Sequence, residues 1–154
     1  MGAYTKLTYH VIFGTKHRRP SIREQLRERL YEYIGGTIRE LNGHLIQIGG
    51  VEDHLHILTN LTPARAVSDM IRDVKANASR WMNQLPQVKS QFEWQKGYAE
   101  FTVSHSNVPS VQAYIQKQRQ HHRTTTFEEE YIAFLRRHDV EFKREWLFEE
   151  EHLA

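Results

Sequence analysis

The chain has 154 residues and no cysteine, enough length for one domain with its own core, and the missing thiols exclude a disulfide framework, a zinc knuckle and a thiolate nucleophile. Its net charge of +2 hides an asymmetry: 17 Lys and Arg against 10 Asp and Glu up to residue 126, then 4 against 9 from residue 127, a basic body suited to a polyanion. The alternating N-terminus lacks a signal peptide's apolar run and nothing reaches the length of a membrane span, so the expectation is a cytoplasmic protein with no membrane partner.

Residues Tyr4 to Thr15 place Leu7, Tyr9, Val11 and Phe13 on one face and predict a first strand. Pro20 and Ser21 open a helix carrying Ile22, Leu26, Leu30, Ile34, Ile38 and Leu41 at helical spacing, which Asn42-Gly43 stops. His44 to Val51 and His54 to Leu61 are short apolar stretches around a turn, predicting an antiparallel hairpin. A second helix is expected from about Ala64 to Gln84, with Val67, Met70, Ile71, Val74, Ala78 and Trp81 buried, and a fourth strand from Phe92 to Ser104. Pro109 starts a helix over about 109–122, and Thr126-Phe127-Glu128-Glu129 is a capping-box start to another ending near His138. The order predicts an α+β split βαβ, ferredoxin-like antiparallel sheet with helices on one face and an added C-terminal helical segment. One catalytic domain over 1–140 is expected, then an acidic tail over 141–154.

His54-Leu55-His56 sets two imidazoles on one face of a strand while Leu55 points to the core. Two nitrogens converging in this way can hold a divalent metal such as Mg²⁺ or Mn²⁺, given a further ligand and an open position for a phosphate oxygen. Two polar residues on a solvated strand face would give the same pattern. Asp53 precedes the pair as a possible orienting carboxylate or a plain turn residue.

Tyr114 and Gln118 are four apart on a predicted helix, sharing a face at about 6 Å between Cβ atoms. If that face meets the histidines, Gln118 completes the metal site and Tyr114 lies beside a metal-bound phosphate as nucleophile. A phenol, with a pKa of about 10, attacks and also leaves, so the phosphodiester energy is kept and strands rejoin without a nucleotide cofactor. No other tyrosine has this company. His121 and His122 follow as alternative ligands, phosphate contacts or helix-end histidines.

These residues resemble the single-tyrosine HUH transposases of the smallest bacterial insertion sequences and their relatives associated with repetitive extragenic palindromes. His54-Leu55-His56 resembles the family's histidine-hydrophobic-histidine motif, and Tyr114-Ile115-Gln116-Lys117-Gln118 its nucleophile helix. Trp94-Gln95-Lys96-Gly97-Tyr98 and Gln120-His121-His122-Arg123 are similar to members too, and the likeness covers roughly residues 4 to 140. The resemblance implies a homodimer, single-stranded DNA with subterminal hairpins as partner, and a 5′-phosphotyrosine intermediate that leaves a 3′-hydroxyl. It leaves open whether the tyrosine serves its own subunit or the partner.

Lys16, Arg18, Arg19, Arg23 and Arg27 cluster at the first turn and helix, and Lys117, Arg119 and Arg123 accompany the tyrosine; both groups suit phosphates. Trp94, Tyr98 or Trp81 could stack on an unpaired base, although Trp81 suits a helix core. Two rivals stand beside a transposase: a hairpin DNA- or RNA-binding protein that does not cut, and a metal-dependent phosphoesterase that uses water.

Overall fold

The computed structural model describes residues 2–148. Four strands form one antiparallel sheet: β1 (Thr8–Gly14), β2 (His44–Val51), β3 (His54–Asn60) and β4 (Ala99–Thr102), in the spatial order β2-β3-β1-β4. Helix α1 (Glu24–Glu40) joins β1 to β2, and α2 (Val67–Gln84) joins β3 to β4. This is the split βαβ arrangement that the element order predicts. After β4 come α3 (Val108–Gln116), the single turn α4 (Gln118–His121) and α5 (Phe127–Arg137).

Side chains alternate along a strand, so the sheet feeds two cores. Val11 and Phe13 of β1 and Leu55 and Ile57 of β3 pack with Leu26, Leu30, Ile34 and Ile38 of α1 and Met70, Ile71 and Val74 of α2. Complete burial of each such Leu or Ile contributes about 1.5–3 kcal/mol. On the opposite face, Ile12 and Phe101 are covered by Phe127, Tyr131, Phe134 and Leu135. The added segment therefore closes the face that a bare split βαβ unit leaves open, and the site lies beneath it.

Four boundaries differ from the periodicity. Helix α1 starts at Glu24, α2 at Val67, and β1 at Thr8 with Tyr4 fully exposed. The stretch from Phe92 to Tyr98 is not a regular strand: it keeps one isolated bridge, Trp94 to Thr15, and side chains take backbone groups on either side of it. Asn83 accepts from the Phe92 amide and donates to its carbonyl, and the Lys75 ammonium donates to the Gln95 and Gly97 carbonyls. Ala99–Thr102 forms the regular ladder with β1, and before it only that single bridge joins the two, beside the Gln95 amide donating to the Gly14 carbonyl at 2.8 Å.

The helix expected over 109–122 is interrupted. Lys117 leaves helical geometry at φ −100° and ψ 17°, and its amide donates to the Tyr114 carbonyl in a tighter turn, so Tyr114 and Gln118 lie on two helices rather than one. The capping box on α5 is present as predicted. Within the expected acidic tail, Phe148 is buried against Phe127 and Tyr131, and residues 149–154 lie outside the described residues.

Candidate active site

Strand β3 places His54 and His56 on the face away from α1 and α2, and both are fully buried. Their β1 neighbours are Gly14 and Ile12. Gly14 has to be small: a Cβ there would come within 2.5 Å of the Phe127 ring, which stacks on the His54 imidazole at 4.2 Å. The ring of His54 is thus held between the sheet and the first turn of α5.

Each histidine is oriented from behind. The His54 Nδ1–H donates to Asp53 Oδ1 at 2.7 Å, turning Nε2 inward. His56 Nδ1 lies 2.8 Å from His10 Nε2, so the two rings share one proton and His56 Nε2 also faces inward. Asp53, in the turn between β2 and β3, thus also contacts the first histidine of the pair. His10 is an orienting group that the sequence motifs did not reveal.

The C-terminal segment supplies the rest. Gln118 is 1% exposed, and its Oε1 is 2.9 Å from His54 Nε2 while its amide donates to Glu130 Oε2 at 2.9 Å. The Tyr114 hydroxyl donates to the same Glu130 oxygen. The Tyr114 ring is 5.8 Å from His56 and 5.3 Å from His121. One chain therefore gathers His54, His56, Tyr114, Gln118, His121 and His122 around a single point, with Asp53 behind His54 and the tyrosine beside its own chain's histidines.

That point is Glu130, which sequence reasoning missed. Its Oε1 lies 3.1 Å from His54 Nε2, 2.8 Å from His56 Nε2 and 3.1 Å from His122 Nε2. A glutamate in a run of three, Glu128-Glu129-Glu130, reads as helix N-terminal charge. The signal that could have found it is helical phase: Glu130 shares a face with Phe127 and Phe134, at i−3 and i+4, both buried in α5.

Charge in the cluster is interlocked. Burial alone would lower the His54 pKa, but hydrogen bonds to Asp53 and Glu130 and their charges lift it to about 9. His56 is lowered to about 4 by burial, against the opposing pull of Glu130. Burial would raise the Glu130 carboxyl, yet His122, His54 and His56 hold it well below the usual carboxylate range. Burial, followed by the hydrogen bond to Glu130, pushes the Tyr114 phenol up.

The donor set fits a metal ion. One ligand atom from each of His54, His56, His122 and Glu130 lies within 4.8 Å of the others. His122 donates from Nδ1 to the Thr125 carbonyl at 2.6 Å, which turns its buried Nε2 into the cluster. That Nε2, although 3.1 Å from Glu130 Oε1, has no hydrogen-bond partner among the described residues.

The basic residues do not form one patch. Arg27 and Arg119 line a cleft with Gln118 and Gly49, and Arg119 pairs with Glu24 at 2.9 Å. Arg19 and Arg23 line another pocket, with Lys89 and Phe92. Lys16 pairs with Glu93 at 3.3 Å, and Arg18 lies over the Phe148 ring at 4.2 Å. Arg123 borders the opening beside Asp53 and His122, and Lys117 sits at the break between α3 and α4. Trp94 is buried against Phe13, Tyr98 faces the pocket of Lys75 and Lys96, and Trp81 stacks on Tyr33.

Residues 3–118 match the family model described as Transposase IS200 like. The ISDra2 transposase TnpA of Deinococcus radiodurans is 27% identical over 122 residues, covering 76% of this chain and 87% of that protein. The transposase for insertion sequence element IS200 of Salmonella typhimurium is 27% identical over 119 residues, covering 71% of this chain and 75% of that one. A crystal structure of a Deinococcus radiodurans R1 transposase superposes with a TM-score of 0.63 at 24% identity, over 77% of this chain and 95% of that chain. A REP-associated tyrosine transposase bound to a REP hairpin has a TM-score of 0.60 at 17% identity, over 79% and 72% of the two chains.

Proposed function

The chain belongs to the IS200-like transposase family, and from that premise we propose that it cleaves and rejoins single-stranded DNA at hairpin-bearing element ends, with Tyr114 as nucleophile. The observation that carries the proposal is the meeting of the Tyr114 hydroxyl with the His54, His56 and Gln118 cluster within one chain. Binding or packing alone gives no reason to bury so many titratable side chains around one phenol.

His54, His56 and Gln118 would hold a divalent metal, Mg²⁺ or Mn²⁺, whose chemistry is to offset charge on the scissile phosphate. Tyr114 Oη bonds to phosphorus while the bond to the upstream O3′ breaks. The phenol gives up its proton as the new bond forms and the departing O3′ takes one up to become a 3′-hydroxyl, so the step is proton-neutral and the phosphate remains on Tyr114 as a 5′-phosphotyrosine. Attack by a 3′-hydroxyl on that phosphotyrosine reverses the step, so rejoining needs no nucleotide cofactor. Glu130 Oε2 accepts from the Tyr114 hydroxyl and fixes its direction. Burial of the cluster limits competition from water.

The hairpin part of the reading is supported by the REP-associated transposase of similar fold, which is bound to such a hairpin. Arg27 and Arg119, beside Gln118, suit a phosphate backbone approaching the site. The same reading carries a cytoplasmic homodimer in which each chain holds a full set of site residues.

The test is a denaturing gel of the protein incubated with labelled hairpin-bearing single strands and Mn²⁺. A metal-dependent protein–DNA adduct that disappears in Tyr114→Phe, with hairpin binding retained, is expected. Cleaved DNA without an adduct would point to a hydrolase, and binding without cleavage to a hairpin-binding protein.

A further inference from the structure

We propose that Glu130 is a metal ligand that bridges to the nucleophile, Oε1 joining the ion and Oε2 holding the Tyr114 hydroxyl, with His122 as a further ligand. The inference rests on the metal-assisted reading above but adds residues that lie beyond the matched stretch 3–118.

The geometry separates the two oxygens of one carboxylate. Oε1 faces the Nε2 atoms of His54, His56 and His122 at 2.8–3.1 Å. Oε2 faces the Tyr114 hydroxyl and the Gln118 amide. Glu130 is 2% exposed, so its charge cannot rely on water and needs a cation or hydrogen-bond donors.

His122 supplies an independent observation. Its Nδ1–H is spent on the Thr125 carbonyl, and its side chain is only 7% exposed. Its buried Nε2 has no hydrogen-bond partner among the described residues, although Glu130 Oε1 is 3.1 Å away. An acceptor on Nδ1–H that turns Nε2 inward is how a histidine is prepared to ligate. His54 repeats the pattern with Asp53.

Chemically, three imidazoles and a carboxylate favour Mn²⁺, Co²⁺ or Zn²⁺ over Mg²⁺, which prefers oxygen ligands and water. The bridge also ties nucleophile position to metal loading, because one carboxylate serves both. Glu130 is thus a positioning residue for Tyr114.

Calorimetric titration of the metal-stripped full chain with MnCl₂ tests this, comparing wild type, Glu130→Gln and His54→Ala. Glu130→Gln should weaken binding at least about tenfold and reduce the preference for Mn²⁺ over Mg²⁺. Wild-type affinity in Glu130→Gln alongside weakened binding in His54→Ala would overturn the inference and leave the metal-assisted reading standing. Unchanged affinity in both variants would overturn the two together. Wild-type crystals grown with MnCl₂ make the test independent of variant folding: an anomalous peak is expected about 2.2 Å from Glu130 Oε1. A peak between the histidines but beyond reach of that oxygen would overturn the inference.

Discussion

Gly49 on β2 lies so close to Ile115 on α3 that a Cβ added to it would stand 2.7 Å from the Ile115 carbonyl oxygen. The neighbouring glutamines fasten the same contact, since Gln112 and Gln116 both donate to Gln47 Oε1. The helix bearing Tyr114 is therefore registered on the sheet at one residue's distance from the nucleophile. Gly49→Val should destabilise the fold by about 1–3 kcal/mol and slow adduct formation more than hairpin binding. Chemical denaturation and single-turnover adduct assays would check it; an adduct rate equal to wild type would show that α3 is positioned elsewhere.

In metal-free protein, stability should peak near pH 6.5. His54 is raised to about 9, so it holds a proton in the folded state that the unfolded chain loses above about 6.5. Its contribution is complete below 6.5 and is lost as pH rises through 9. His56 is lowered to about 4, so the unfolded chain takes up a proton that the folded state refuses. That contribution is complete above 6.5 and is lost as pH falls toward 4, each limb amounting to roughly 1–3 kcal/mol. Denaturation midpoints from pH 5 to 9 would trace both limbs. His56→Asn should flatten the acid limb, and an unaltered slope would remove His56 as its source.

Asp53 acts through His54. By accepting from Nδ1–H at 2.7 Å it fixes which nitrogen faces the site. Asp53→Asn keeps an acceptor but loses the charge, so Mn²⁺ affinity should fall modestly, while Asp53→Ala should lose about 10–100-fold. Calorimetry on the two variants would give the order. Equal affinities in wild type and Asp53→Ala would reduce Asp53 to a turn residue.

What was legible in the sequence follows from the range of each signal. The hairpin His44–Val51 and His54–Asn60 and the α5 capping box are short-range patterns, and both are present. His54 and His56 share a face because a strand repeats every two residues, which needs no tertiary information. Tyr114 and Gln118 meet at the site although the single helix assumed for them breaks at Lys117. Glu130 and His10 were invisible for the opposite reason. Their shared partner His56 lies 74 and 46 residues away, and the glutamate is camouflaged by two surface neighbours. The strand expected from Phe92 shrinks to one bridge at Trp94, because Asn83 and Lys75, on another element, take backbone groups on either side of it.

The start of α5 couples helix capping to the site. Thr126 accepts from the Glu129 amide at 3.1 Å, and Glu129 accepts from the Thr126 amide at 2.9 Å. Glu130 follows immediately, and its own amide donates to the Thr126 carbonyl, so a frayed first turn would carry the carboxylate away from His56 and Tyr114. Thr126→Ala should cost about 1 kcal/mol of stability. If the cap also positions Glu130, adduct formation should slow by more than that loss accounts for under conditions where the protein is fully folded. Glu129→Ala removes the reciprocal half of the box while leaving the Thr126 hydroxyl, and should slow the reaction less. Rates identical to wild type in both variants, with stability lowered, would mean that packing of Phe127 and Tyr131 alone holds Glu130 in place.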